Sequence, residues 1–190
     1  MPATALDPKT ALVVIDLQRG ISQFPTIHPF GAVVARTVQL ADAFRRANLP
    51  VVLVTVALSA DGGDRLRPRA EVNRVLNMPP DFALLVPELE AKPNDILIMK
   101  RQPNAFFGTE LDLQLRRRQI TGLVLTGVAT SSGVDSTARA AHERAYNVTF
   151  ASDAITDMDP EAHEFVMKKI FPKLGELDTT EAILALLRRV

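Results

Sequence analysis

Short apolar runs recur along the chain without an alternation of apolar and polar residues. Runs of this kind are typical of strands that are buried on both faces of a parallel sheet. They predict strands at Leu12–Leu17, Val51–Ala57, Asp95–Met99, Leu123–Thr126 and Asn147–Phe150. The segment from Leu177 to Leu184 predicts a short last strand that leads into a C-terminal helix.

Helical patterns, with apolar residues three or four positions apart, lie between these strands. They predict helices at Gly31–Ala47, Thr109–Arg118 and Val134–Ala145. Ser132 followed by Asp135 is a capping-box pattern, which marks the start of the third helix. Strands that alternate with helices indicate βαβ units. The sequence therefore predicts a doubly wound, Rossmann-like α/β fold, with a mostly parallel six-stranded sheet and helices on both faces.

The segment from Leu58 to Pro93 carries neither pattern. It contains Asp61-Gly-Gly-Asp64 and several prolines, and it predicts irregular structure with at most a short helix near Arg69–Leu76. Loops of this length in compact domains are usually either functional or disordered. The spacing alone leaves both alternatives open.

Length and charge limit the classes of function. A chain of 190 residues fits a single domain over residues 1–190, large enough to bury about 70% of its unfolded surface. Lys plus Arg and Asp plus Glu both number 22, so the formal net charge is zero. This balance argues against duplex nucleic acid and anionic membranes as main partners. We expect a small-molecule partner or another protein.

The chain contains no cysteine, which excludes disulfides, thiolate metal sites and covalent thiol chemistry. Its N-terminal segment does not look like a secretory signal, and its apolar runs are far shorter than the roughly 20 residues that span a bilayer. We therefore expect a soluble, cytoplasmic protein. The histidines His28, His142 and His163 lack the spacing of metal ligands, so no metal site is indicated.

Two charged residues lie where strands end. Asp16 ends the first apolar run, and Lys100 follows the predicted strand Asp95–Met99. Open α/β sheets bind ligands at the carboxyl ends of their strands, so Asp16 is a candidate acid or base, or else a structural cap for the next loop. Lys100 is a candidate to hold Asp16 ionised or to bind a substrate carboxylate, with Arg101 sharing that anion, or else a solvated surface lysine.

Four blocks of the chain match the motifs of one known family. They are Ala11–Gln18, Ile98–Lys100 with Ala105–Leu111, Thr126–Arg139, and Ser152–Ala154. Together they resemble the isochorismatase-like hydrolases of the cysteine hydrolase superfamily, over nearly the whole chain. The resemblance implies that Asp16 and Lys100 are two members of a catalytic triad. Gly133 stands where the family carries its nucleophilic cysteine, so any mechanism must run without sulfur.

The resemblance also implies a special turn around Gly133. A cis peptide bond between Val128 and Ala129 would direct the N–H groups of Ala129 and Gly133 into an oxyanion hole. Backbone N–H groups at a helix N-terminus favour an anion or a developing oxyanion. Thr130 and Ser132 lie in this turn as candidate substrate contacts. Ser132 and its neighbour Ser131 also suit helix capping, and no paired histidine is in evidence to activate either.

Further residues complete the expected pocket. Phe24, Phe106 and Phe107 are candidate wall residues, with burial in the core as the alternative. Asp153 matches a family aspartate that is more often structural than catalytic. The resemblance also favours a functional segment Leu58–Pro93. The metal-dependent nicotinamidase branch carries an Asp-x-His motif after its second strand, which this chain lacks, so we expect neither metal nor other cofactor.

Three functional hypotheses remain. The first is hydrolysis of a vinyl ether, as in isochorismatases, with Asp16 as proton donor and no covalent nucleophile. The second is a relative of the cysteine amidohydrolases that has lost its thiol and binds a small amide or carboxylate. The third is an amidase in which the glycine is an engineered replacement. Similar proteins form dimers or larger closed assemblies, so a homodimer or higher homo-oligomer is expected.

Overall fold

The computed structural model describes residues 2–67, 69, 71 and 78–189. Six strands form one sheet with the order β3-β2-β1-β4-β5-β6, and every neighbouring pair is parallel. The strands are β1 (Thr10–Ile15), β2 (Val51–Val56), β3 (Ile96–Lys100), β4 (Gly122–Val128), β5 (Asn147–Thr156) and β6 (Gly175–Asp178). The predicted α/β fold with a six-stranded parallel sheet is confirmed.

Helices cover both faces of this sheet. They are α1 (Phe30–Arg46), α2 (Leu111–Arg117), α3 (Asp135–Glu143), α4 (Pro160–Phe165), α5 (Phe171–Leu174) and α6 (Thr180–Leu187). Short 3-10 turns occur at Ile21–Gln23 and Pro87–Leu89, and π-helical turns at Thr130–Val134 and Val166–Ile170. None of the helices in the described residues combines the length and the apolar character needed to cross a bilayer. The helices α4 and α5, which the apolar spacing did not predict, join β5 to β6.

The two faces of the sheet form two apolar cores. In β1, Val13 and Ile15 point into the core that α2, α3 and α5 cover. The intervening Leu12 and Val14 point into the core that α1 and α6 cover. Successive strand residues are therefore all buried, which explains why the sequence lacks an alternating pattern.

Some strand boundaries differ from the prediction. The run Leu12–Leu17 ends as a strand at Ile15, because Asp16 adopts a left-handed backbone with φ of 55°. Lys100 is the last residue of β3 and does not follow it. β5 continues to Thr156, well beyond the predicted end at Phe150. Its backbone pairs with β4 as far as Thr156, although this part of the strand contains polar residues.

The edge strand β3 is an exception to burial on both faces. Ile96 and Ile98 are buried, whereas Leu97 and Met99 are 60% and 54% exposed. For this strand the prediction of two buried faces is wrong, because the face that carries Leu97 and Met99 is open to solvent. The outer face of β3 therefore presents apolar surface to solvent.

The capping box predicted at the start of the third helix is not formed. The π-helical turn Thr130–Val134 runs directly into α3, so Ser132 lies inside the turn and caps neither segment with its side chain. Ala129 O accepts hydrogen bonds from the N–H groups of Ser132 and Val134, both at 3.1 Å. The backbone thus satisfies donors that a capping side chain would otherwise serve.

In the irregular segment from Leu58 to Pro93, most of the predicted helix near Arg69–Leu76 falls outside the described residues. The stretch around Phe82 is held by Gln18, which is fully buried. The side-chain amide of Gln18 donates to Val56 O at 3.0 Å and Phe82 O at 2.9 Å, and it accepts from Val56 N at 2.8 Å. Gln18 therefore ties the end of β1 to β2 and to the segment around Phe82.

We expect Gln18→Leu to lower the free energy of unfolding by about 2–3 kcal/mol, since it removes three hydrogen bonds between a buried side chain and the backbone. Chemical denaturation followed by circular dichroism measures this loss. The exposed residue Gln23 offers a matched control, and Gln23→Leu should change the free energy by less than about 0.5 kcal/mol. Equal losses in the two variants would contradict the role of Gln18.

Candidate active site

Three segments meet at the carboxyl edge of the sheet. Asp16 follows β1, Lys100 ends β3, and the turn Thr130–Val134 follows β4. The strand order reverses between β1 and β4, and open α/β sheets form their ligand-binding crevice at such a switch point. Topology alone thus brings Asp16, Lys100 and the turn Thr130–Val134 to one edge of the sheet.

The close approach of β4 to the end of β1 requires glycine. Gly127 has φ of +118°, and a Cβ built on it would lie 2.0 Å from Ile15 O. No side chain fits there, and L residues rarely adopt this backbone. Gly127 therefore lets the turn after β4 lie directly against Asp16.

Asp16 and Lys100 form a buried ion pair. Lys100 Nζ donates to Asp16 Oδ2 at 2.7 Å. Lys100 is only 2% exposed and Asp16 only 6% exposed. The lysine side chain reaches across the end of β2 to make this contact. The alternative of a solvated surface lysine is thereby excluded for Lys100.

Burial raises the pKa of the Asp16 carboxyl above its ordinary value of 3.8, although the charge and the hydrogen bond of Lys100 both oppose this rise. The other oxygen, Oδ1, is buried without a hydrogen-bond partner among the described residues. An ammonium group has only donors, so Oδ2 must accept from it. When Asp16 carries a proton, that proton therefore lies on Oδ1, which has no hydrogen-bond partner among the described residues.

Gly133 faces this pair. A Cβ built on Gly133 would lie 3.3 Å from Asp16 Oδ2, 3.0 Å from Ile15 Cγ2 and 3.2 Å from Val128 O. A side chain at this position would therefore contact the carboxylate directly. The peptide bond between Val128 and Ala129 is cis.

Thr130 points away from this pair. Its buried hydroxyl donates to Thr156 O at 3.0 Å, since a carbonyl oxygen can only accept, and it lies 2.7 Å from His163 Nδ1. The hydroxyl has a single proton, so His163 must donate through Nδ1–H. His163 thus does not act as a base on Thr130, and the prediction that the Thr130 side chain contacts substrate is not supported by this geometry.

Other candidate residues are only partly brought together. Arg101 donates to Ala57 O at 2.9 Å and pairs with Asp64 at 3.0 Å, so its guanidinium is engaged with the neighbouring loop. Ser132 is exposed, and its carbonyl accepts from Ser136. The Arg101 guanidinium is thus directed to Ala57 and Asp64, whereas the Lys100 ammonium is directed to Asp16.

The three phenylalanines have different surroundings. Phe106 is 5% exposed, and its ring packs 5.9 Å from the Tyr146 ring, so it belongs to the core rather than to a pocket wall. Phe107 is 69% exposed. Phe24 is half-buried against the core under α1 and follows the 3-10 turn after Asp16. Of the three, Phe24 keeps the surroundings expected of a wall residue.

Asp153 is structural. Its Oδ1 accepts from the N–H and the hydroxyl of Thr180, at 2.7 and 2.8 Å, at the start of α6. Its Oδ2 lies 3.5 Å from Arg36 Nε. These contacts fasten α6 and α1 to β5.

Two residues that sequence reasoning missed hold the turn. Asp157 is 3% exposed and follows β5 at the same edge as Asp16, and its Oδ2 accepts from Ser131 N at 2.7 Å. His163, in α4, contacts Thr130. A strand end placed at Thr156 instead of Phe150 would have drawn attention to Asp157. Among the described residues, no cluster of three or more His, Asp or Glu side chains is arranged to hold a metal ion.

Known proteins match this chain closely. The Isochorismatase domain matches residues 10–182, which include Asp16, Lys100 and Gly133. The chain is similar to the uncharacterized isochorismatase family protein YwoC of Bacillus subtilis, with 45% identity over 93% of each chain. It is 31% identical to the ureidoacrylate amidohydrolase RutB of Methylobacterium radiotolerans, over 83% of this chain and 71% of that protein. A solved isochorismatase family protein from Burkholderia thailandensis has a TM-score of 0.94 and 44% identity, covering 97% of this chain and 98% of that chain.

Proposed function

Because the chain belongs to the isochorismatase family of hydrolases, we propose that it hydrolyses a small molecule without a thiol nucleophile. Asp16 acts as general acid and base, and Lys100 is its partner. The observation that carries the proposal is Asp16 Oδ1, a buried oxygen without a partner in the described residues, on a carboxyl group whose other oxygen lies 3.3 Å from a Cβ built on Gly133. The proposal extends to a cytoplasmic homodimer or larger homo-oligomer, for which the exposed Leu97 and Met99 are candidate contacts.

The preferred reaction is hydrolysis of an enolpyruvyl ether such as isochorismate. Asp16 transfers its proton from Oδ1 to the terminal methylene, which leaves an oxocarbenium-like carbon bearing the ether oxygen. Water adds to that carbon and returns a proton to the Asp16 carboxylate. The resulting hemiketal breaks down to pyruvate and an alcohol, so no covalent intermediate with the protein is needed.

Lys100 and the turn supply the electrostatics. The ammonium of Lys100 keeps Oδ2 as an acceptor and stabilises the carboxylate that forms when Asp16 gives up its proton. Its remaining donors are available to a substrate carboxylate. The N–H groups of Ala129 and Gly133 are our candidates for binding negative charge on the substrate.

A second candidate function is binding of a small amide or carboxylate by a lapsed amidohydrolase. The specific observation in its favour is the similarity to RutB proteins, which are named as amidohydrolases. The absence of any cysteine argues against amide hydrolysis by a thiol. The two candidates therefore differ in what a thiol restored at residue 133 would do.

Turnover of isochorismate by the unaltered chain tests the proposal. Pyruvate release is followed with a coupled dehydrogenase, and we expect a steady rate proportional to enzyme concentration. No release from folded protein, with the coupling enzyme active, would overturn the vinyl-ether reaction.

Gly133→Cys and Gly133→Ala form a matched pair that separates the candidates. Both add a Cβ that crowds Ile15 and Asp16, so we expect both to lower pyruvate release by about 10-fold or more. Amidase activity on ureidoacrylate that appears in Gly133→Cys but not in Gly133→Ala would favour the lapsed amidase. No amidase activity in either variant, together with pyruvate release by the unaltered chain, would favour the vinyl-ether reaction.

A further inference from the structure

Two side chains outside the Asp16 and Lys100 pair form hydrogen bonds with the turn Thr130–Val134. They belong to Asp157 and His163. Asp157 accepts Ser131 N–H through Oδ2 at 2.7 Å, while its Oδ1 accepts Met158 N–H at 2.7 Å and Asp159 N–H at 3.2 Å. A carboxylate that accepts three backbone N–H groups is held in one orientation. Its position therefore sets the position of Ser131.

The second fastening is the bond from His163 to Thr130. Because the Thr130 hydroxyl gives its only proton to Thr156 O, His163 Nδ1–H is the donor to Thr130 Oγ1 at 2.7 Å. Burial and the neighbouring His28 lower the pKa of His163, which favours the neutral ring. The His28 ring packs edge-on against it, with centroids 5.1 Å apart.

These two bonds act on consecutive residues between the Val128–Ala129 peptide and Gly133. The space in front of Gly133 is narrow, since a Cβ built on it would lie 3.0 Å from Ile15 Cγ2, 3.2 Å from Val128 O and 3.3 Å from Asp16 Oδ2. A shift of the turn by a fraction of an ångström would therefore change the space beside Asp16. Geometry of this kind strongly affects reaction rate, since a displacement of about 1 Å can lower it about 100-fold.

We propose that Asp157 and His163 are positioning residues: they hold the turn Thr130–Val134 so that Gly133 faces the Asp16 and Lys100 pair. Neither side chain touches the substrate. The inference deepens the proposed function and rests on it for its effect on catalysis, whereas the effect on the turn itself is independent of the reaction.

His163→Leu and His163→Asn test this role. In asparagine the amide nitrogen is bonded to Cγ, as Nδ1 is in histidine. His163→Asn therefore retains a donor for Thr130, whereas His163→Leu has none. We expect His163→Leu to lower kcat about 10- to 100-fold with little change in KM, and His163→Asn to stay within about 3-fold of the unaltered protein. His142, exposed on α3, provides the control variant His142→Leu, which should leave kcat unchanged.

Amide hydrogen exchange of Ser131, Ser132 and Gly133 is measured on the same proteins. We expect faster exchange at these amides in His163→Leu, near-normal exchange in His163→Asn, and unchanged exchange in the strand β1 of both. Equal behaviour of the Leu and Asn variants, in rate and in exchange, would overturn the proposal. If the unaltered chain does not hydrolyse isochorismate, the proposed vinyl-ether reaction fails, and exchange at the turn still decides the positioning role.

Discussion

Asp16→Asn should reduce hydrolysis by about 1000-fold or more while leaving the fold intact. Asparagine tolerates the left-handed backbone of residue 16, where φ is 55°, so the variant avoids the strain that alanine would introduce. It also keeps an acceptor for Lys100. What it loses is the titratable proton on the oxygen that has no partner among the described residues.

The coupled pyruvate assay measures this loss, with circular dichroism and thermal unfolding as checks of folding. Asp153→Asn is the matched control, because Asp153 is also an aspartate of the sheet, within β5, but contacts Thr180 and Arg36. We expect that variant to lose stability and keep kcat. More than a tenth of the normal rate in Asp16→Asn would rule out Asp16 as the proton donor.

The pH dependence of the unaltered enzyme is set by the same residue. The pKa of Asp16 lies above 3.8 in the folded protein because of burial. The protonated acid is the active form, so kcat/KM should fall as the pH rises through that raised pKa. Because the pKa of Asp16 is higher in the folded than in the unfolded protein, the folded state holds its proton to higher pH. The free energy of unfolding therefore falls as the pH rises from 3.8 through the folded pKa.

Lys100→Met should be strongly destabilising, and the loss should depend on pH. The substitution removes the partner of a carboxyl that is only 6% exposed, and breaking a buried pair in this way costs about 3–5 kcal/mol. Burial remains while the opposing charge of Lys100 disappears, so the pKa of Asp16 rises further. We therefore expect the full loss at alkaline pH and a smaller loss as the pH falls and Asp16 becomes protonated.

Chemical denaturation at several pH values measures this dependence. Lys168→Met is the control for removal of a paired lysine, because Lys168 and Glu164 form an exposed pair and should contribute less than about 1 kcal/mol. The double variant Asp16→Asn with Lys100→Met should be more stable at alkaline pH than Lys100→Met, since no unpaired charge remains. A loss in Lys100→Met that is independent of pH would contradict this account of the pair.

Several elements of the site were predictable from local sequence. Asp16 was placed at a strand end because an apolar run stops there, and the structure puts it directly after β1. The grouping of Asp16, Lys100 and the turn near Gly133 followed from motif resemblance and from the rule that parallel strands share a carboxyl edge. None of these inferences needed the direction of a side chain.

The sequence could not reveal the direction of side chains whose contacts lie in distant parts of the chain. The sequence left Phe106 open between a pocket wall and the core, and its packing against Tyr146, far away in sequence, assigns it to the core. The Thr130 hydroxyl turns towards Thr156 and His163. His163 had no motif to mark it, because its partner is a threonine on another element.

The sequence by itself determined the alternation of strands and helices, the absence of a thiol, and the presence of an aspartate, a lysine and a glycine at matching motif positions. Hydrophobic periodicity and strand ends are local properties, so they can be read from neighbouring residues. Only the tertiary structure decided that Lys100 is buried against Asp16, that Oδ1 of Asp16 has no partner in the described chain, and that Asp157 holds Ser131. Those features arise where strand register and turn geometry bring together residues that are distant in sequence. Fully buried strands also lack the alternation of apolar and polar residues that would reveal which way a side chain points.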